Sequence, residues 1–162
     1  MARRVFFSFH YQRDIFRANV VRNSWRFRPE YEISNAFWDG SLWEKTKTEG
    51  DAAVKRLIAQ GLNNTSATVV LIGAETSKRQ WIQHEIDESL TRGNGLVGVY
   101  LHNIKDQLGF VDTPGNNPFD NLRFASTKQL LSTAYRTYDW INDDGYRNLA
   151  GWVEAAAKAA GR

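Results

Sequence analysis

A tryptophan and a glutamate four residues apart, Trp81 and Glu85, form the pair in this chain whose types and spacing best suit chemistry. On a helix, positions i and i+4 stand one turn apart on the same face. That face neighbours the Ile82–Ile86 stripe and can point toward a crevice, where an indole often lines the site of a flat ligand. Glu88 continues the same side as a weaker candidate. The bland alternative is a partly solvated helix flank, where glutamate is an ordinary residue. Other constellations fail. Ser8 and Ser77 have no His–Asp partner at a recognisable spacing, so a nucleophilic triad is not supported. His84-Glu85 is not followed by a second histidine four residues on, so the metalloprotease motif is absent. His10, His84 and His102 all fall near expected strand ends, which invites a metal reading. Three histidines scattered over loops and a helix face more often have separate roles, and no metal is assigned. No glycine-rich phosphate motif follows the first expected strand, so a Rossmann dinucleotide site of the usual kind is not supported.

Alternating strands and helices must position these residues. Val5-Phe-Phe-Ser-Phe9 reads as a short buried strand. Asp14 can cap a helix running to about Asn23, with Phe16, Val20 and Val21 on its apolar face. A weaker strand is expected within Glu32–Trp38. Thr48 and Asp51 resemble a capping pair before Val54, Leu57, Ile58 and Leu62, which recur at helical spacing, and Gly61 sits where that helix ends. Ala67–Gly73 is the clearest strand, β-branched and apolar as a strand covered on both faces should be. A polar loop leads to a helix over Gln80–Thr91 with Ile82, Ile86 and Leu90 as its buried stripe, stopped by Gly93 and Gly95. Leu96–Leu101 is the next strand. Residues 103–126 read as irregular, with turn chemistry at Thr113–Pro118. Tyr138–Ile141 reads as a last strand, before an alanine-rich helix carrying Leu149, Val153, Ala156 and Ala160.

This alternation predicts an α/β fold: a flavodoxin-like three-layer sandwich around a mostly parallel five-stranded sheet in the order 2-1-3-4-5. A single domain over residues 3–161 is expected. Ligands of such sheets bind beyond the carboxyl ends of the strands, where the order reverses, here between strands 1 and 3. The loop after strand 1 begins at His10, and the helix after strand 3 carries Trp81 and Glu85. Topology therefore nominates the same residues as side-chain chemistry, with Phe9 and His10 forming the opposite wall. Residues 35–48, with Asn35 and Asp39 among three aromatics, are the expected cover, and Trp38 and Trp43 are further candidate walls.

Composition narrows the function classes. The chain has 162 residues, a 42% hydrophobic and a 24% charged fraction, which fits a globular protein and excludes collagen, coiled coil and disorder. With no cysteine, a disulfide scaffold, a thiolate metal site and a cysteine nucleophile are excluded, and a reducing, cytoplasmic setting is expected. No apolar run approaches the ~18 residues of a membrane span. A net charge of +3 permits an anionic ligand without requiring nucleic acid.

The first strand, Val5-Phe-Phe-Ser-Phe9, and the segment Ser77-Lys-Arg-Gln-Trp81-Ile-Gln-His-Glu85-Ile86 resemble TIR domains. Phe7-Ser-Phe-His-Tyr11, Val69-Val-Leu-Ile-Gly-Ala-Glu-Thr-Ser77, Tyr100-Leu-His-Asn-Ile-Lys-Asp106 and Asn117-Pro-Phe-Asp-Asn121 more closely resemble the bacterial TIR-like branch of Thoeris antiphage defence. The resemblance spans about residues 3–142. Glu32–Thr48 departs from the usual loop after strand 2, and 103–126 is longer than the pattern. The resemblance implies a TIR-like fold and an NAD glycohydrolase or ADP-ribosyl cyclase with Glu85 as catalytic residue. Phe9, His10, Asn35, Asp39 and Trp81 would bind substrate. NAD would be substrate rather than cofactor, and no metal or other cofactor is implied. The product would be a cyclic ADP-ribose isomer that activates a partner effector. Self-association is a further possibility, and a non-catalytic TIR-like adaptor acting through it is the alternative reading. A nucleic-acid or membrane partner is not expected.

Overall fold

The computed structural model describes residues 3–25, 28–34 and 40–162. Its centre is β3 (Ala67–Ile72), buried at every position. On one side β3 pairs in parallel with β1 (Arg3–Ser8), which pairs with β2 (Tyr31–Ile33). On the other it pairs with β4 (Gly95–Tyr100), followed by β5 (Thr137–Asp139). The sheet order is β2-β1-β3-β4-β5, and every pairing is parallel, as the strand–helix alternation predicts.

The two faces of β1 separate the two helical layers, because successive strand side chains point opposite ways. Val5, Phe7 and Phe9 pack with Ala18, Val21 and Trp25 of α1 (Tyr11–Trp25) and with Leu149, Val153 and Ala157 of α5 (Gly145–Ala159). Phe6 faces the other layer, with Trp43 of α2 (Gly40–Thr48) and Val54, Leu57, Ile58 and Leu62 of α3 (Asp51–Leu62). On that face, further along, Val70 and Ile72 meet Ile82 and Ile86 of α4 (Gln80–Thr91). Ser8 shares the Phe6 side by the same alternation and so points toward the α4 layer.

Several local expectations change. α1 starts at Tyr11, three residues before Asp14, so Asp14 is not its cap but a buried carboxylate in its first turn. β2 is only three residues long. The expected strand residues 35–38 lie outside the described residues. A helix, α2, occupies 40–48 where a cover segment without assigned structure was expected. Gly50, not a Thr48–Asp51 box, precedes α3, and Thr48 Oγ1 instead donates to the Lys45 carbonyl at 2.6 Å. Gly61 lies inside α3 for packing reasons, since a Cβ there would stand 2.8 Å from the Phe6 ring. α4 runs over Gln80–Thr91 as the spacing predicts, and Gly93, at φ +78°, lies just beyond it.

The long segment between β4 and β5 has no strand and only two short 3-10 turns, at Pro118–Asp120 and Leu131–Thr133. It is nevertheless well anchored. Phe119 and Leu131 are buried beside α4. Arg13 of α1 grips Asp112 through both carboxylate oxygens at 2.9 Å, and Arg17 donates to the carbonyls of Ile104 at 2.6 Å and Phe110 at 2.9 Å. No helix among the described residues is long and apolar enough to cross a membrane.

Candidate active site

The site is built where β1 and β3 end and the chain turns into α4. β3 ends at Ile72, and the next turn is closed by Thr76, whose hydroxyl accepts from the Gly73 amide at 2.8 Å. The Asp14 carboxylate lies against this turn, so a Cβ on Gly73 would overlap it. From the other side Gly115 rests on the Gly73 carbonyl, where a Cβ would also collide. Asp14 is 1% exposed, and burial raises its pKa to about 6. Arg13 and Arg17 pull it down, and Asp112 pushes it up. The turn that launches α4 is thus wedged between α1 and the segment after β4.

Glu85 lies on the inner face of α4, with no exposed surface. Burial pushes its pKa to about 8, against the opposing influence of the Ser8 hydroxyl and the Arg79 guanidinium. Among the described residues neither carboxylate oxygen of Glu85 has a hydrogen-bond partner, and neither does the Ser8 hydroxyl. Buried polar groups are satisfied in the great majority of cases, so a wholly buried carboxyl with no hydrogen-bond partner among the described residues, near enough to the Ser8 hydroxyl for it to favour the ionised form, has the environment of a functional acid. A carboxyl group of this kind exchanges a proton near neutral pH and, once ionised in a water-poor setting, strongly stabilises a cation.

Arg79 precedes α4 and reaches back over the site. Its Nη1 donates to the Phe9 carbonyl at 2.8 Å, and its Cζ stands 4.8 Å from the centre of the fully buried Trp43 ring. Burial lowers the Arg79 pKa, whereas Glu85, Asp14 and Glu44 favour its charge. Trp81, one turn before Glu85, is half-buried, packs beside the Phe6–Trp43 cluster and meets His84 edge-on at 5.7 Å.

The structure therefore brings Glu85, Trp81 and His10 to one end of the sheet, as topology nominated. The His10 pKa is lowered, first by burial and then by Arg79, and its Nδ1 accepts from the Arg13 amide at 3.3 Å. Phe9 is placed differently. Its ring is wholly buried with Val5 and Phe7 on the α1 side, so it offers no face for stacking, and its carbonyl is what meets Arg79. Asn35, Asp39 and Trp38 lie outside the described residues. Among the described residues no three His, Asp or Glu side chains form a group that could hold a metal. Sequence reasoning missed Arg79, and it weighed Ser8 only as a nucleophile. Alternation along β1 was the available signal for Ser8, since it shares the parity of Phe6. Arg79 had only its place just before the helix.

A five-stranded parallel sheet in this order, with a glutamate and a tryptophan on the helix after β3, defines a TIR-like α/β protein. A family described as Thoeris protein ThsB, TIR-like domain, matches residues 6–106, which include Ser8, His10, Arg79, Trp81 and Glu85. The chain is also 41% identical to a protein of Bacillus cereus (strain MSX-D12) named "Putative cyclic ADP-D-ribose synthase ThsB1", over 94% of this chain and all of that relative. The chain belongs to the ThsB TIR-like family of Thoeris proteins.

Proposed function

We propose that this protein cleaves the nicotinamide–ribose bond of NAD and closes the remaining fragment into a cyclic ADP-ribose isomer. The product would act as a diffusible messenger to a partner effector in antiphage defence. The observation that carries this reading is Glu85: a buried carboxyl, without a hydrogen-bond partner among the described residues, one turn beyond Trp81 and at the point where the strand order reverses. The name of the Bacillus cereus relative supports it.

The chemistry asks little of the protein beyond that carboxylate. NAD already carries a cationic pyridinium, so nicotinamide departs as a neutral molecule and keeps the bonding electron pair. The ribose carbon then develops oxocarbenium character, which an ionised Glu85 stabilises electrostatically. A second carboxylic acid for leaving-group protonation is unnecessary. The electron-poor carbon forms its new bond to a nucleophile of the folded-back adenosine half, which loses a proton to solvent as the ring closes. Water is the competitor. Exclusion of water and a folded substrate favour closure over hydrolysis. The full burial of Glu85, the indole of Trp81 one turn before it and the buried Trp43 ring against Arg79 suit that requirement.

Trp81 and His10 would border the substrate, with Asn35 and Asp39 contributed from the segment ahead of α2. NAD is substrate here, and the reaction needs no further cofactor. A cytoplasmic location would suit an NAD substrate, and self-association would be an additional property of the fold. Incubation of the purified protein with NAD tests the reaction: wild type releases free nicotinamide, and Glu85→Gln releases none above background. Equal release by both proteins would remove Glu85 from the mechanism.

A further inference from the structure

Arg79 is a half-buried cation that, among the described residues, forms no salt bridge. It has one hydrogen bond, to the Phe9 carbonyl at 2.8 Å, and the face of Trp43 at 4.8 Å. A carbonyl and an aromatic face orient a guanidinium but do not neutralise it. The acids that feel its charge are engaged elsewhere or are catalytic in the reading above. Asp14 is turned to Thr76 at 3.5 Å, Glu44 accepts from Gln12 at 2.6 Å, and Glu85 has no hydrogen-bond partner among the described residues. A guanidinium carries five N–H donors in a planar fork, of which only one is used here. The ligand that matches such a fork best is an oxyanion held through two parallel hydrogen bonds.

We infer that Arg79 binds the diphosphate of the dinucleotide substrate, through the N–H groups not engaged by Phe9, while Glu85 faces the ribose carbon. This rests on the NAD-cleaving reading and deepens it. NAD carries a positive pyridinium and a negative diphosphate on opposite sides of one ribose. The site carries a carboxyl group and a guanidinium on one helix and its leading residue, close enough that each shifts the other's proton affinity. Laid so that unlike charges meet, substrate and site are complementary at both ends. The Trp43 ring, 4.8 Å from the guanidinium carbon, and the Phe9 carbonyl restrict where the guanidinium can sit, which limits the entropy lost when an oxyanion is bound. Arg79 thereby selects phosphorylated nucleotides over nucleosides, a distinction Glu85 alone does not make.

Calorimetric titration separates this from a structural role. ADP-ribose and adenosine are titrated into wild type, Arg79→Gln and Arg79→Lys, each with its melting temperature measured. A charged hydrogen-bonded contact is worth about tenfold to a hundredfold in affinity. Arg79→Gln should therefore weaken ADP-ribose binding by about that factor and leave adenosine binding unchanged. Arg79→Lys, which keeps the charge but loses the fork, should fall between, and it serves alone if the glutamine variant does not fold. No ADP-ribose binding by wild type, unaltered binding by the variants, or an equal loss for adenosine would overturn the inference. The reaction is scored separately by nicotinamide release from NAD. Arg79-dependent ADP-ribose binding without any nicotinamide release would support the inference and sink the reaction. Release with a KM for NAD that ignores Arg79 would do the reverse.

Discussion

At the scale of single residues, the protonation of Glu85 governs both chemistry and stability. Its ordinary value is 4.5 and its value in the fold is about 8. The folded state therefore holds a proton that the unfolded chain releases, and stability falls as pH rises through that window. Replacing Glu85 with Gln removes the titration. The variant should melt no higher than wild type at pH 4, with a gap that opens between about pH 5 and pH 8 and then stays constant. Scanning calorimetry across this range checks the sign, and a constant gap at all pH values would contradict it. Basal nicotinamide release should rise toward about pH 8, because only the ionised carboxylate stabilises the oxocarbenium ion. The Ser8 hydroxyl, which favours ionised Glu85, should matter in the same direction: Ser8→Ala should move the limb of that pH–rate profile upward. An unmoved limb would show that Ser8 does not act on the carboxylate.

At the scale of elements, α2 and the turn before α4 hold the site closed. Trp43 is fully buried between the Phe6 cluster and Arg79. Trp43→Ala should cost about 3–5 kcal/mol in urea denaturation, the usual range for a deleted core tryptophan. With water admitted, the Glu85 pKa should drop toward 4.5, which carboxyl NMR titration reads directly. The Gly73 turn is equally specific. Gly73→Ala drives a Cβ into the Asp14 carboxylate and should destabilise by about 1–3 kcal/mol. Asp14→Ala should relieve part of that loss, so the two changes should be non-additive in a double-mutant cycle. Much of this framework was legible in the sequence. The β-branched run of β3 and the Ile82–Ile86 stripe of α4 set their own boundaries, and the strand order followed from the alternation. What misled was local chemistry with two meanings. Asp14 has the type of a helix cap but is a buried carboxylate against Gly73, and Gly61 has the type of a helix stop but makes room for Phe6. Neither burial is visible without the long-range partner. The role of Arg79 was hidden for the same reason, since Phe9 and Trp43 reach it from far along the chain.

At the scale of the molecule, one end of a parallel sheet collects everything the proposed reaction requires. The carboxyl ends of β1 and β3 meet where the strand order reverses, α4 supplies Trp81 and Glu85, and α2 supplies the buried Trp43 against Arg79. The segment after β4 is clamped to α1 by Arg13 and Arg17 and braces the turn from above through Gly115. The measurement that bears most directly on the central claim is mass spectrometry of nucleotides from phage-challenged bacteria carrying either wild type or Glu85→Gln. A cyclic product weighs one water less than ADP-ribose. That lighter species should accumulate with wild type and be missing with Glu85→Gln. ADP-ribose alone with wild type, or the lighter species in equal amount with Glu85→Gln, would contradict a cyclase that works through Glu85.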